Sequence, residues 1–229
     1  MISIVIPTYN EADKIAGLVA FLRKEGKDKI AEIIVADGGS SDRTADLART
    51  AGALVECCPE RGRALQMNRG AAVATAEVLY FIHADTRPPA SFAGDIEQSI
   101  GEGFGCGRYR TVFDSSKPVL RVNSFFTRFD LFMCYGGDQT FFIRRDLFTR
   151  LGGFNNDMRI MEDYEIVQRA KRSSRYKIMQ KGVLVSARKY QVNSWISVQK
   201  ANYTIVRMYR KGASQDAMVN KYRELLNSR

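Results

Sequence analysis

The sequence is poor in the residues that build disulfide frameworks and zinc sites. Its 229 residues include one histidine and four cysteines, and two of the cysteines, Cys57 and Cys58, are adjacent. Because the cysteines do not form two close pairs, we interpret them as reduced packing residues. The composition therefore argues against a disulfide-linked secreted domain and against a cysteine-ligated zinc protein.

Long apolar runs are absent as well. No run approaches the roughly 20 residues of a membrane-spanning helix. The chain passes from Met1 straight into a strand pattern, without the basic, apolar and small-residue segments of a signal peptide. We therefore expect a cytoplasmic protein.

The two common glycine-rich phosphate motifs are also missing. There is no Gly-Lys-Ser or Gly-Lys-Thr ending of a P-loop, and no G-x-G-x-x-G follows the first predicted strand. These absences exclude a P-loop nucleoside triphosphatase and the usual dinucleotide-binding fingerprint.

Acidic residues are scarce in the C-terminal part of the chain. Residues 166–229 contain 15 basic and two acidic residues, a net charge of +13, whereas residues 1–165 carry a net charge of −3. Such a basic region favours an anionic partner, such as a membrane surface, a lipid phosphate or nucleic acid. A solvated helical face that is merely basic explains the pattern equally well.

Short apolar runs alternate with helical patterns in the first 101 residues. Strand-like runs occupy 2–6, 33–36, 53–56 and 78–82, with helical patterns between them, and we expect Pro7 to end the first run. This alternation predicts an α/β fold with a parallel sheet. After Gly101 the pattern changes, and the alternation over 109–113 predicts an antiparallel strand. Further expectations are helices over 119–132, 195–210 and 215–227 and a strand over 139–143.

Carboxylates follow two of the predicted strands directly. Asp37 precedes Gly38 and Gly39, which let a ligand approach the backbone closely, and Asp85 follows the run 78–82. Ligands of parallel sheets bind outside the carboxyl ends of the strands, so both carboxylates are candidate ligand-binding groups. We expect Asp37 to accept a hydrogen bond from a nucleobase.

Asp85 also suits a divalent cation. Mg²⁺ and Mn²⁺ prefer oxygen ligands and are held by few carboxylates together with substrate phosphates. His83, the only histidine, stands two residues earlier. Either His83 contacts the metal or a phosphate group directly, or it only orients the loop.

In this order and spacing the motifs resemble the family 2 glycosyltransferases with the GT-A fold. The resemblance covers most of the first 170 residues and is closest to short bacterial members without transmembrane helices, some of them in arsenosugar biosynthesis. The matching motifs are the Ile-Pro-Thr-Tyr-Asn-Glu opening, the Asp-Gly-Gly-Ser-Ser-Asp turn, the stretch 62–70, the His-Ala-Asp variant of D-x-D, and the Glu-Asp pair at 162–163.

The resemblance implies a Rossmann-like half with a mixed central sheet flanked by helices, followed by C-terminal helices. We therefore expect one GT-A domain with a nucleotide-sugar-binding half (1–101), an acceptor and catalytic half (102–190) and basic helices (191–229). Met67 departs from the family, because many members have an arginine there.

The resemblance also assigns roles to residues. It implies that Asp163 is the catalytic base, with the neighbouring Glu162 as the other candidate for that role. It also implies that Asp85 is the ligand of Mn²⁺ or Mg²⁺. The structural alternative is that the pair 162–163 only caps a helix. The candidate nucleotide-binding residues are Pro7, Thr8, Tyr9, Glu11, Asp37, Arg63 and Ala84. The candidate residues on the acceptor side are Gly137, Asp138 and Gln139, for which a hairpin turn is the alternative.

These roles describe an inverting transfer of one sugar, expected to be a hexose, from a UDP- or GDP-sugar to an acceptor hydroxyl. The acceptor is a small molecule, such as an arsenosugar precursor, or is lipid-linked, and the amphipathic pattern over 195–210 predicts either core packing or contact with a membrane surface. Absence of the Gln-x-x-Arg-Trp motif around Trp195 favours a single transfer over processive synthesis.

Two other functions fit the sequence less well. A sugar nucleotidyltransferase would normally have a glycine-rich basic loop at the first turn, whereas residues 7–11 contain no glycine, lysine or arginine. A non-catalytic module for nucleic acid or anionic lipid would alternate aromatic and basic residues for stacking and neutralisation, whereas the aromatic residues here lie mostly in apolar patterns. We therefore expect no nucleic-acid partner.

Overall fold

The structure is a computed structural model that describes residues 1–135 and 139–226. Its strands are β1 (Ile2–Thr8), β2 (Ile30–Asp37), β3 (Leu54–Cys57), β4 (Val78–Phe81), β5 (Thr86–Arg87), β6 (Cys106–Asp114), β7 (Phe141–Arg144) and β8 (Tyr176–Ser186). Its helices are α1 (Ala12–Gly26), α2 (Thr44–Thr50), α3 (Arg63–Val73), α4 (Phe92–Gly101), α5 (Pro118–Phe126), α6 (Arg145–Arg150), α7 (Glu162–Ser173), α8 (Lys189–Val192), α9 (Trp195–Arg210) and α10 (Gln215–Leu225). In the described part of the chain the strands form one sheet in the order β3-β2-β1-β4-β7-β6-β8-β5.

The first four strands form the predicted parallel half of this sheet. β1 pairs in parallel with β2 and β4, and β2 pairs in parallel with β3. Every residue of β1 is buried, as expected for a strand covered on both faces. Ile4 belongs to the apolar cluster that contains α1 and α4 residues, whereas Val5 belongs to the cluster on the α3 side. The alternation of side chains along the strand thus produces two cores.

Pro7 does not end β1, contrary to the sequence-based expectation. The amide of Ile82 donates to Val5 O on the β4 side, and the amide of Gly38 donates to Thr8 O on the β2 side. Because strand residues alternate between the two neighbours, Pro7 faces the β4 side at a point where β4 has already ended. The missing amide of proline therefore removes no hydrogen bond from the sheet.

The second half of the sheet is mixed. β7 is antiparallel to both β4 and β6, and β8 is parallel to β6. The expectation of an antiparallel strand over 109–113 was wrong, because these residues pair in parallel with β8. β8 itself corresponds to no predicted strand, since the polar stretch Gln180–Lys181–Gly182 interrupts its apolar pattern. A register shift between Tyr109 and Arg110 accommodates that stretch.

α5 is shorter than the helix expected over 119–132. It ends at Phe126, and the hydroxyl of Thr127 then accepts a hydrogen bond from Thr111 N (2.9 Å) on β6. The same hydroxyl lies within donating distance of Ser124 O (2.8 Å) and of Thr111 O (3.1 Å). This buried contact fixes the chain to the sheet and competes with continuation of the helix.

The C-terminal helices α9 and α10 pack against each other and bury one face of α9. α9 has the bounds that the sequence predicts, is capped by the Ser194 side chain, and buries Val198, Ala201 and Ile205. The core-packing interpretation of this helix is therefore confirmed for its inner face. None of the helices in the described ranges combines the length and apolar character needed to cross a membrane.

Candidate active site

Asp37 is fixed at the carboxyl end of β2. Its side chain is buried, and its Oδ1 accepts hydrogen bonds from Thr8 Oγ1 (3.2 Å) and Ser40 Oγ (2.5 Å). Its Oδ2 accepts one from Ser40 N (2.9 Å). An ionised carboxylate offers about four acceptor sites, so one remains for a ligand donor such as a nucleobase N–H.

Gln66 on α3 connects the carboxyl ends of β1 and β2. Its buried Nε2 donates to Thr8 O (2.7 Å) and to Ala36 O (2.8 Å). A Cβ atom at Gly38 would lie only 2.9 Å from Cδ of Gln66, so the glycine is required for this close approach. The sequence analysis missed Gln66, because a glutamine inside a helical pattern carries no signal of a distant partner.

The first turn is bonded to the second. Asn10 has a φ of 54°. Its side-chain Oδ1 accepts a hydrogen bond from Ser41 N (2.9 Å), and its backbone N–H donates one to Ser40 Oγ (2.9 Å). Next to it, the guanidinium of Arg61 lies 3.8 Å from the centroid of the Tyr9 ring. Pro7, Thr8 and Tyr9 are thereby held beside Asp37 at one edge of the sheet.

The Asp85 turn lies at the end of the neighbouring strand β4. The amide of Thr86 donates to His83 O (3.1 Å) and closes the turn, and the amide of Ser186 donates to Asp85 O (3.2 Å). Ala84 is buried, whereas the side chain of Asp85 keeps 18% exposure. The turn therefore presents the Asp85 carboxylate at the carboxyl edge of the sheet.

Arg188 joins this turn to the first one. Its Nη2 lies 3.1 Å from Oε1 of Glu11 and 3.4 Å from Oδ2 of Asp85. The sequence analysis did not single out Arg188. A position two residues beyond the end of a strand was the available signal, but β8 was not predicted.

Asp85 fits a metal that is shared with a substrate. Among residues 1–135 and 139–226, no group of three or more His, Cys, Asp or Glu side chains could hold a metal ion. The oxygen atoms of Asp85 are the ligands that Mg²⁺ and Mn²⁺ prefer, and such ions commonly complete their coordination with substrate phosphates and water. The donor set therefore suits a shared ion and not a dedicated protein cage.

Glu162 and Asp163 begin α7 in a buried position. Met161 precedes them with a φ of 71°, and the exposed fractions of Glu162 and Asp163 are 1% and 9%. Nε of Arg63 lies 2.7 Å from Oε1 of Glu162 as an ion pair. Apart from this contact, neither oxygen of Glu162 accepts a hydrogen bond from another residue in the described ranges.

Burial raises the pKa of Glu162 above its ordinary value of 4.5. The charge of Arg63 opposes this shift, the charge of Asp163 adds to it, and His83 opposes it more weakly. The ion pair with Arg63 joins the start of α3 to the start of α7, which lie far apart in the sequence.

A cavity of about 590 Å³ opens beside Asp163. Arg63, Asp163 and Gln139 contribute to its lining, and other walls come from α5, β6, α8, α9 and α10. Its volume lies within the roughly 300–1,000 Å³ of ligand-binding pockets. Asp163 and not Glu162 is thus the member of the pair that faces open space.

The candidate acceptor residues are only partly described. Gly137 and Asp138 lie outside the described residues. Gln139 lines the cavity, and its Nε2 donates to Cys134 O. Met67, where many family members have an arginine, is buried in the core between α3 and the sheet.

Comparison with known proteins assigns the family. The family model described as glycosyl transferase family 2 matches residues 3–154. Glycosyltransferase AglJ of Haloferax volcanii is 48% identical over 54 residues, which cover 24% of this chain and 17% of that protein. A PGL/p-HBAD biosynthesis glycosyltransferase of Mycobacterium tuberculosis is 26% identical over 185 residues, which cover 72% of this chain and 67% of that protein.

Solved structures share the fold. Staphylococcus aureus TarS 1-349 in complex with UDP-GlcNAc has a TM-score of 0.68 at 17% identity, over 81% of this chain and 58% of that one. Mannosyltransferase PcManGT from Pyrobaculum calidifontis, in complex with GDP-Man and Mn²⁺, has a TM-score of 0.66 at 20% identity, over 98% of this chain and 69% of that one. The chain thus spans a sixth to about two thirds of the lengths of these proteins. It has the GT-A fold and belongs to glycosyl transferase family 2.

Proposed function

We propose that this protein transfers one sugar from a nucleoside diphosphate sugar to an acceptor hydroxyl, with inversion at the anomeric carbon. The observation that carries the proposal is the 2.7 Å ion pair between Nε of Arg63 and Oε1 of Glu162, in a site where Arg63 and Asp163 line the same cavity. A base at the start of α7 would thus lie beside a candidate nucleotide-binding residue. The sugar is a hexose in this proposal.

The donor nucleoside lies at the first two turns. Asp37 has one acceptor site left for the base, and the exposed Tyr9 ring and the backbone of Pro7 and Thr8 border the same edge. The diphosphate then extends towards Ala84 and Asp85. The related structures with UDP-GlcNAc and with GDP-Man make UDP- and GDP-sugars the donors of choice.

Asp85 would hold a divalent cation together with the donor diphosphate, and that cation would stabilise charge on the leaving group. Mn²⁺ in the related PcManGT structure makes Mn²⁺ the first ion to test. Arg188 provides positive charge beside Asp85, and Arg63 provides it beside Glu162.

Asp163 acts as the general base. Its carboxylate faces the cavity, so it can take the proton of an acceptor hydroxyl while that oxygen attacks the anomeric carbon. Glu162 faces Arg63 instead, since neighbouring helical residues point about 100° apart. A positioned base accelerates such reactions by typically about 10²- to 10⁴-fold.

The chain is divided accordingly. Residues 1–101 bind the donor, residues 102–190 provide the base and the acceptor side with Gly137, Asp138 and Gln139, and residues 191–229 are the basic C-terminal region that contains α9 and α10. The outer face of α9 exposes Ile196, Lys200, Tyr203 and Arg207. We place this face against anionic lipid at the inner surface of the membrane.

A binding screen tests the donor site. UDP, GDP and TDP and their sugars are titrated with and without Mn²⁺ by calorimetry, using wild type, Asp85→Ala and the exposed control Asp13→Ala. Metal-dependent binding of one nucleoside diphosphate, lost only in Asp85→Ala, supports the proposal. Binding of none of them contradicts it, and release of pyrophosphate from a nucleoside triphosphate with sugar phosphate would indicate a nucleotidyltransferase.

A further inference from the structure

The cavity beside Asp163 reaches well beyond the space of the reacting groups. α9 contributes Gln199, Asn202 and Val206 to its lining, and the seven steps from 199 to 206 span about 10 Å along the helix axis. Phe113 of β6 and Phe126 of α5 line it as well. The lining also includes the aliphatic and aromatic side chains of Ile160, Tyr164, Tyr190, Ile205 and Tyr222, so a bound molecule can bury apolar surface there.

The opening of the cavity carries exposed apolar side chains. Phe126 and Leu131 line the cavity although they are 48% and 47% exposed, so they lie where it meets solvent. Phe125 and Phe129 stand beside them, with ring centroids 5.6 Å apart and similar exposure. A cluster of exposed large apolar residues at the mouth of a cavity is unusual for a site that takes only a free sugar.

Two polar atoms in the lining lack partners. Oε1 of Gln139 and Nε2 of Gln199 are buried, and neither forms a hydrogen bond within the described residues. Buried polar groups are normally paired, and an unpaired one is costly. One acceptor and one donor are the complement of a ligand hydroxyl, so a purely hydrocarbon ligand does not satisfy this lining.

The charged residues of the lining suit a neutral or weakly anionic ligand. Among the described residues that line the cavity, Asp163 is the only carboxylate, and the cations are Arg63 and Lys189. A cationic acceptor is therefore disfavoured, and nothing in the lining opposes a hydroxyl on an apolar carrier.

We propose that the acceptor is an amphipathic alcohol, with its hydroxylated head at Asp163, Gln139 and Gln199 and its apolar chain along α9 towards Phe126 and Leu131. This inference rests on the proposed function, because it names the class of molecule that meets the base. It predicts recognition of the chain as well as of the head.

Alkyl glucosides of increasing chain length, from methyl to octyl, are the probe. Their binding is followed below the critical micelle concentration through the fluorescence of Trp195, the only tryptophan, whose Nε1 lies 3.3 Å from Oδ1 of the lining residue Asn123. We expect the dissociation constant to fall by up to about fourfold for each added methylene group that becomes buried. Equal dissociation constants along the series would overturn the inference.

Asn202→Phe narrows the cavity, and Asn220→Phe is the matched control, because it makes the same change at an exposed residue of α10 outside the lining. The dependence on chain length should disappear in Asn202→Phe and persist in Asn220→Phe. Its persistence in both would place the chain elsewhere on the protein and overturn the inference.

Nucleoside diphosphate binding with Mn²⁺ is measured on the same samples. Normal nucleotide binding without any effect of chain length removes only this inference, whereas absent nucleotide binding removes the proposed function. A glucosyl diacylglycerol in phosphatidylcholine vesicles forms a second arm. Cosedimentation that Asn202→Phe abolishes assigns the acceptor to a bilayer, and binding of the dispersed glucosides alone assigns it to a soluble amphipath.

Discussion

Nη2 of Arg188 lies 3.1 Å from Oε1 of Glu11, although 177 residues separate them. The same nitrogen lies 3.4 Å from Oδ2 of Asp85. One guanidinium thus links the turn after the first strand to the turn that we assign to the metal and the donor diphosphate. Its position suits a phosphate oxygen better than a permanent ion pair, because its side chain keeps 59% exposure.

Arg188→Ala should weaken binding of a nucleoside diphosphate by roughly fivefold, since an exposed charge contact is worth up to about 1 kcal/mol. Binding of the free nucleoside should fall less, because a nucleoside lacks the phosphate oxygens that would face this guanidinium. Calorimetric titration measures both. Lys181→Ala, at an exposed lysine on β8, is the control, and an equal loss for nucleoside and diphosphate would argue against the assignment.

Gln66→Leu should lower the free energy of unfolding by about 1–3 kcal/mol, because it leaves the buried carbonyls of Thr8 and Ala36 without their side-chain donor. Nucleoside affinity should fall too, since the ends of β1 and β2 lose their link. Urea denaturation measures the stability. Gln98→Leu, on the exposed face of α4, is the control and should change it little; an equal effect of both variants would refute the role of Gln66.

Glu162 should make stability depend on pH. Burial raises the pKa of this carboxyl above 4.5 in the folded protein, so its proton is held more tightly in the folded than in the unfolded chain. The contribution of Glu162 to the free energy of unfolding is therefore greatest below about pH 4.5 and declines as the pH rises through the raised pKa.

Glu162→Gln removes this titration. Relative to the variant, wild type should lose stability in urea denaturation as the pH is raised stepwise from 4.5. Glu60→Gln, at an exposed glutamate, reports the effect of the same chemical change at the surface. A constant difference between wild type and Glu162→Gln over this range would contradict the prediction.

Lys200→Ala should weaken binding to anionic vesicles by roughly fivefold, because a basic residue near an anionic surface contributes about 1 kcal/mol. Lys24→Ala, at an exposed lysine of α1, is the control and should leave binding unchanged. Vesicle sedimentation at two salt concentrations measures the effect. An equal loss for both variants would indicate binding through total charge and not through α9.

The sequence was sufficient for those parts of the fold whose signal is local. Apolar runs that end at Asp37 and near Asp85 predicted the parallel strands and the common edge of the sheet at which these two carboxylates lie. The bounds of α9 follow from its helical period and from Ser194. The ion pair between Arg63 and Glu162 could not be predicted from a local pattern, because nothing local links positions 63 and 162.

The missed parts depend on contacts between distant residues. The polar stretch 180–182 interrupts the apolar pattern of β8, and the strand forms because all nine residues of β6 pair with it. Arg188 could not be placed without that strand. α5 ends at Phe126 because Thr127 bonds to Thr111, a partner 16 residues away that a helical pattern does not reveal.

The central claim is that Asp163 is the base of a sugar transfer. Steady-state and single-turnover kinetics of Asp163→Asn with an alkyl glucoside acceptor and the donor found in the screen test it most directly, with the exposed Asp157→Asn as control. We predict a turnover number lower by about 10²- to 10⁴-fold, with unchanged affinity for the nucleoside diphosphate. A variant that retains the turnover of wild type would contradict the assignment of Asp163.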